Sequence, residues 1–347
     1  VFFHHFFWAS KANPLATTSI FMREVAAVAR YGQHGVDVFF VLSGFLITCL
    51  LLVDRKLFDY FHSFYWKRAL RILPVYFIHL ILTQLMMGHA RGYIVLGLLF
   101  VLNFGGRFGV SPGIAWTLSI EEQFYFIWPQ CVRRMRMPAL YYVAFTLAIT
   151  SILLRLIVPM LKGSMATTYT FYRCDGLCLG AILACQWFST SGQTRTIRTI
   201  LSVLNSNVTL LLFVSLQIFT VARLADGPIA LSCTITCVNY FTYRLLSRLI
   251  SERKSPVLTW LGRSVPVFFG RISYSMYMFQ GFVFFLWERH FGEIDPTRGA
   301  ATLARLVASL FITIVLCTAS LYLIELPVQK LRSLVLRRAR VPEMAIS

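Results

Sequence analysis

Few of the 347 residues carry groups that can move a proton or hold an anion, and several of these sit in apolar surroundings. His4 and His5 lie in VFFHHFFWAS, and Glu121 and Glu122 in AWTLSIEEQFYFIWP. An imidazole at a helix end in an apolar setting can act as a general base near neutral pH. The two histidines project about 100° apart on a helix, so only one can face a given cavity. Glu121 and Glu122 follow a Gly/Pro break and are flanked by Trp116, Phe124, Tyr125, Phe126 and Trp128. That setting reads as a site at membrane depth or at the interface rather than a solvated loop. Arg68 and Arg71 are two cations three residues apart. They either anchor topology or hold a phosphate-bearing ligand.

A second group of ionisable residues sits at or inside the apolar runs: Asp37, His79, Arg155, Arg173, Asp175 and Glu325. Charges there are costly and face a cavity or a partner. Arg173, Asp175 and Glu325 read equally as helix-pairing groups and as supports of a site. His79 reads as a packing histidine. Asp37 and Ser43 are six apart, which turns them to roughly opposite sides of a helix, so they do not form a dyad. Ser43-Gly44 reads as a place of close helix approach, with a nucleophilic serine as the alternative.

The elements that must position these groups are membrane helices. Of the residues 57% are hydrophobic and only 14% charged, against about 25% charged in soluble domains. The apolar residues come in long runs, which excludes an ordinary cytosolic domain, a disordered chain and a coiled coil. The expectation is an all-α, polytopic integral membrane protein of about ten transmembrane helices with one broken or re-entrant segment. The expected spans are a stub at 1–9, then 35–53, 70–87, a broken crossing at 93–131, 139–161, 170–188, 199–221, 229–247, 272–290 and 303–324. In the broken crossing, GGRFGVSPG (105–113) interrupts the apolar sequence. Irregular backbone at that depth is tolerated where it is buried in protein or lines a wet cavity.

The net charge is +19. Most of the Lys and Arg residues fall in 54–71, 133–136, 195–198, 244–271 and 330–340, which makes that face cytoplasmic by the positive-inside rule. An anionic lipid surface, not nucleic acid, is the partner this charge implies. The eight cysteines lie mostly within apolar runs with no CxxC pair and no Cys/His ligand set, so no metal is expected. The chain begins with Val1 inside an apolar segment that has no signal-peptide pattern, and is read as N-terminally incomplete. One transmembrane domain is expected over 1–331, followed by a short basic cytoplasmic tail at 332–347.

Five segments, in order, resemble motifs of membrane acyltransferase family 3, the bacterial O-acyltransferases of cell-envelope polysaccharide and lipopolysaccharide. They are VFFHH (1–5), HGVDVFFVLSGFLIT (34–48), YWKRALRILPVY (65–76), AWTLSIEEQFYFIWP (115–129) and ISYSMYMFQ (272–280). YRCDGLCLGAILA (172–184) and IELPVQKL (324–331) are weaker matches. The family's basic residue, eleven positions before its essential histidine, would precede Val1 if that histidine is His4. Gln280 stands where the family often has His, and Leu326 where it often has Arg or Lys.

The resemblance implies transfer of an acyl group, usually acetyl, from cytoplasmic acyl-CoA to a hydroxyl of a carbohydrate or glycolipid acceptor at the inner membrane. Acyl-CoA would be a co-substrate, and no cofactor is expected to stay bound. His4, with His5 as the alternative, would be the base or a transient acyl carrier. Glu121 or Glu122 would orient its imidazolium, and Arg68 and Arg71 would receive the CoA phosphates. Asp37, Ser43, Arg173, Asp175 and Glu325 would support the site. The competing readings are a transporter or flippase for a lipid-linked sugar, a membrane scaffold without chemistry, and acylation of a small-molecule glycoside.

Overall fold

The computed structural model describes residues 1–8, 20–88, 92–162, 168–188, 194–223, 227–252, 255–292 and 299–330. The expected tail at 332–347 and the end of the first expected span lie outside them. The elements are α1 (Phe2–Trp8), α2 (Ile20–Arg30), α3 (Gly35–Val53), α4 (Tyr60–Met87), α5 (Gly92–Leu98), α6 (Trp116–Arg134) and α7 (Met137–Lys162). They continue with α8 (Cys174–Phe188), α9 (Arg195–Leu204), α10 (Asn207–Arg223), α11 (Pro228–Ser251), α12 (Pro256–Leu261), α13 (Ser264–Phe291) and α14 (Gly299–Ser320). Short 3-10 turns and one π-helical turn, Leu321–Glu325, complete the fold, and no strand occurs among the described residues.

Four stretches are long and apolar enough to cross a bilayer alone: Arg23–Lys56, Tyr60–Met86, Met137–Pro159 and Gly299–Lys330. A fifth results if α9 and α10, bent by 48° at their junction, count as one. Helices also occupy the other expected spans, but with different properties. α8 has only 15 residues. α11 and α13 are long, but they carry polar groups such as Asn239, Arg244 and Gln280 into buried positions. The expected broken crossing is α5, a 3-10 turn at Leu102–Phe108, irregular backbone and then α6. Gly109 and Gly113 there adopt positive φ of 66° and 53°, a conformation glycine reaches without steric cost.

The chain forms two compact units from interleaved segments: Val1–Gln33 with Asp59–Val95 and Thr259–Ser347, and His34–Phe58 with Leu96–Leu258. In the first, the phenylalanine-rich α1 buries Phe2, Phe6 and Phe7 against Ala26 and Ala29 of α2 and Leu306 of α14. α13 is tied to α4 by the Tyr274 hydroxyl, which donates to the Ile72 carbonyl at 3.0 Å.

The second unit is organised by the contact of α3 with α8. A Cβ on Gly44 would lie 2.0 Å from the Leu177 carbonyl oxygen, and one on Gly180 2.1 Å from that of Val41. Only glycine permits this backbone approach, which is how helices gain packing energy where lipid supplies no hydrophobic drive. Ser43-Gly44 is therefore a close-packing step, as its sequence reads. At one end of this unit the basic segments meet. Arg55 donates to the Met135 carbonyl, Arg133 to the Arg55 carbonyl, and Arg244 to the Asn205 carbonyl.

Candidate functional site

The histidines belong to the first unit. His4 is half-buried on α1, and Gly32 of the turn Tyr31–His34 lies against it: a Cβ there would sit 3.3 Å from the His4 Cβ. The His5 ring is centred 5.7 Å from that of His4 and 6.5 Å from that of Tyr277. The amide of Gln280, buried on α13, places Nε2 3.0 Å from His5 Nδ1 and 3.3 Å from the Tyr277 carbonyl oxygen. A carbonyl only accepts, so the atom facing it is the NH2 group, and His5 Nδ1 must accept from the same group. The proton of neutral His5 then resides on Nε2, and its lone pair is already taken by Gln280. His5 is held as a hydrogen-bonding group by Gln280.

His79 is buried and donates from Nδ1 to the Met278 carbonyl at 2.9 Å, with Thr83 and Tyr93 hydroxyls 3.5 Å from its Nε2. That is the geometry of a packing histidine. Glu325 is buried in the π-helical turn and accepts from the Ser275 hydroxyl at 2.5 Å and the Ser320 hydroxyl at 3.4 Å. It joins the end of α14 to α13. Arg68 and Arg71 sit on one face of α4, the first half-buried and the second exposed.

The remaining candidates belong to the second unit. Asp37, in the first turn of α3, is 1% exposed and lies between an imidazole and a guanidinium. His34 Nδ1 lies 3.0 Å from its Oδ2, and Arg173 Nη2 lies 3.2 Å from its Oδ1. The Arg173 guanidinium is also 5.2 Å from the centre of the Trp116 ring, within cation–π range. Asp175 takes a different partner. Arg155 donates to it in a fork, at 2.7 and 2.8 Å, and Asn239 adds a third bond at 2.9 Å. Arg155 also donates to Thr236 at 2.8 Å and to the Tyr172 carbonyl. Arg173 and Asp175, two apart in sequence, therefore anchor different pairs.

Glu121 is buried and Glu122 half-buried on α6. That helix is pinned to α3 by Trp128 Nε1, which donates to the Thr48 hydroxyl at 2.8 Å, while Phe124 stacks on Trp128. The irregular backbone before α6 is held by Gln123, which donates to the Phe100 carbonyl at 2.8 Å and to Asn103 Oδ1 at 3.0 Å. Asn103 in turn donates to the Thr170 hydroxyl at 2.9 Å. Satisfied side-chain amides thus hold the buried start of the break, Leu102, Asn103 and Gly105, while residues 106–109, Ser111 and Gly113 are exposed.

A family defined by an acyltransferase domain, acyltransferase 3, matches residues 1–322. The chain belongs to this family. Among its relatives is the O-acetyltransferase OatA of Staphylococcus aureus (strain NCTC 8325 / PS 47), 30% identical over 185 residues, 45% of this chain and 30% of that protein. The peptidoglycan O-acetyltransferase OatA of Listeria monocytogenes is 30% identical over 122 residues, 29% of this chain and 20% of its own length. A third relative, from Staphylococcus aureus (strain COL), is 25% identical over 283 residues, 71% of this chain and 45% of its own length. The chain thus spans less than half the length of the relatives it matches. No solved structure matches it.

Within this member of the acyltransferase 3 family the sequence reading located the ionisable residues but missed two of their neighbours, Gly32 and His34, and the partner of a third residue, Arg155. Gly32 lies in YGQHG, an ordinary turn signal with nothing to show that it abuts His4. His34 could have been flagged by its i,i+3 spacing to Asp37. Arg155 was visible as an intramembrane cation, but its pairing with Asp175 across twenty residues has no local signal. Gln280, where the family often has His, keeps a hydrogen-bonding role toward His5.

Proposed function

We propose that this membrane protein is an O-acyltransferase that moves an acyl group, acetyl in the first instance, from acyl-CoA to a hydroxyl of a cell-envelope glycan. The observation that carries the reading is the family match over 1–322. The relatives named O-acetyltransferase and peptidoglycan O-acetyltransferase support acetyl as the group and a polysaccharide as the acceptor. The protein works in the inner membrane, with the ends of its helices that carry Arg55, Arg133 and Arg244 facing the cytoplasm. In this reading α11 and α13 also cross the bilayer, since 24 and 28 residues exceed the roughly 20 needed for a span.

His4 is the base. The acceptor oxygen attacks the thioester carbonyl as its proton passes to His4. The new C–O bond forms, the C–S bond breaks, and the proton on His4 goes to the departing thiolate. His5, held by Gln280, keeps α1 in register with α13. Arg68 and Arg71 receive phosphates of the donor. The Asp37–Arg173 and Asp175–Arg155 pairs hold α3, α7, α8 and α11 in place around the transfer path.

The test is label transfer. Membranes containing the protein are given [14C]acetyl-CoA and envelope glycan, and base-labile label in the glycan is counted. Ester-linked label above that of membranes lacking the protein is expected. Glycan that crosses the membrane without gaining label would instead favour a carrier.

A further inference from the structure

Of the buried arginines of the second unit, Arg155, Arg173 and Arg244, the first two face carboxylates and the third does not. Arg155 is fully buried and faces a carboxylate. Arg244, on α11, is 9% exposed and has no carboxylate partner among the described residues. Its Nη1 donates to the Asn205 carbonyl at 2.5 Å and to Asn205 Oδ1 at 3.2 Å. Its Nε is buried with no hydrogen-bond partner, as are those of Arg155 and Arg173, so the missing carboxylate is what sets Arg244 apart. The groups around it are neutral: Asn205 donates to the Tyr243 hydroxyl at 3.2 Å, and Tyr243 donates to Gln186 at 3.1 Å.

Asn205 ends α9, so Arg244 caps that helix and meets the partial negative charge of its C-terminus. A helix end supplies about half a charge, and the cap uses only one nitrogen of the fork. A guanidinium taken out of water with its charge uncompensated is costly, and an anion supplied from outside removes the cost. The surroundings favour one. Arg248 is exposed one helical turn further along the same face of α11, and Arg195 and Arg198 are exposed on α9. The planar fork of arginine suits a phosphate, which accepts two parallel bonds.

We infer that the elbow between α9 and α10 is a phosphate-binding site centred on Arg244, with Arg248 at its rim. Arg68 and Arg71 belong to α4 of the other unit. The phosphate comes either from an acidic phospholipid headgroup or from a soluble nucleotide such as the adenosine bisphosphate portion of CoA. Only the second source rests on the proposed acyl-CoA reaction, so failure of that reaction leaves the lipid arm standing.

The full chain is placed in nanodiscs and its thermal unfolding midpoint followed in two arms. One uses neutral phosphatidylcholine discs titrated with adenosine 3′,5′-bisphosphate. The other compares phosphatidylcholine discs with discs containing phosphatidylglycerol, without nucleotide. A midpoint that rises in the first arm identifies a nucleotide phosphate, and one that rises in the second a lipid phosphate. Arg244→Gln, which can still donate to the Asn205 carbonyl, should lose the rise. Arg244→Lys keeps the charge without the fork and should bind about tenfold more weakly. It serves as the test if the Gln variant does not fold. No rise in either arm, a rise undiminished in Arg244→Gln, or wild-type affinity in Arg244→Lys would overturn the inference.

Discussion

Arg155 and Arg244 are both buried arginines of one helical unit, yet only one is electrically complete. Arg155 meets Asp175 in a fork and adds bonds to Thr236 and the Tyr172 carbonyl. Arg244 meets an amide side chain and a carbonyl and has no carboxylate partner among the described residues, while the Nε–H of both arginines is buried without an acceptor. A buried cation with its counter-ion built in serves the fold. A buried cation without one is held in readiness for an anion from outside. The difference separates intramembrane charges that join helices from those that act on a ligand.

The comparison breaks most easily at Asp175. Asp175→Ala leaves Arg155 buried and uncompensated and should cost about 3–5 kcal/mol, seen as a large drop in unfolding midpoint in detergent. A midpoint unchanged by that substitution would remove Arg155–Asp175 from the framework. The double variant Arg155→Met, Asp175→Leu sharpens the point. Replacing a buried pair with apolar groups of similar volume is often neutral or stabilising, so its midpoint should return to near wild type. A double variant as unstable as the single one would mean that the pair contributes more than mutual compensation. Asn239→Leu removes one of the hydrogen bonds to Asp175 and should cost about 1.5–3 kcal/mol, the range for a bond to a charged group. Arg244→Gln should have the smallest effect of the single substitutions on the unliganded protein, because about 0.3–1 kcal/mol lost from the weaker helix cap is offset by removal of a buried uncompensated charge. A loss as large as that of Asp175→Ala would place Arg244 with the structural arginines.

The parts legible in the sequence were those set by composition and local spacing. Apolar runs gave the helices, the Gly/Pro cluster marked the irregular backbone between α5 and α6, and Ser43-Gly44 gave the close approach found against Leu177. The helix count as membrane spans was less legible. α11 and α13 mix apolar length with inward polar residues, so hydropathy alone does not class them with the four clear candidates. Partner choice was not legible at all. Arg173 and Asp175 are neighbours in sequence, but helix geometry and the glycine-mediated seating of α8 on α3 send one to Asp37 and the other to Arg155. At the histidines, the 100° offset said that only one could act. Which one depends on Gln280, 275 residues away from His5.

The central claim is that His4 is the base and His5 a hydrogen-bonding support. It is tested by measuring acetyl transfer for His4→Gln and His5→Gln side by side, in membranes, at equal protein levels and with binding of CoA checked in each. Loss of a general base should lower the rate of His4→Gln about 10²–10⁴-fold with donor binding retained. His5→Gln should keep a rate within about tenfold of wild type, because Gln can still bond to Gln280. An active His4→Gln beside an inactive His5→Gln would contradict the account.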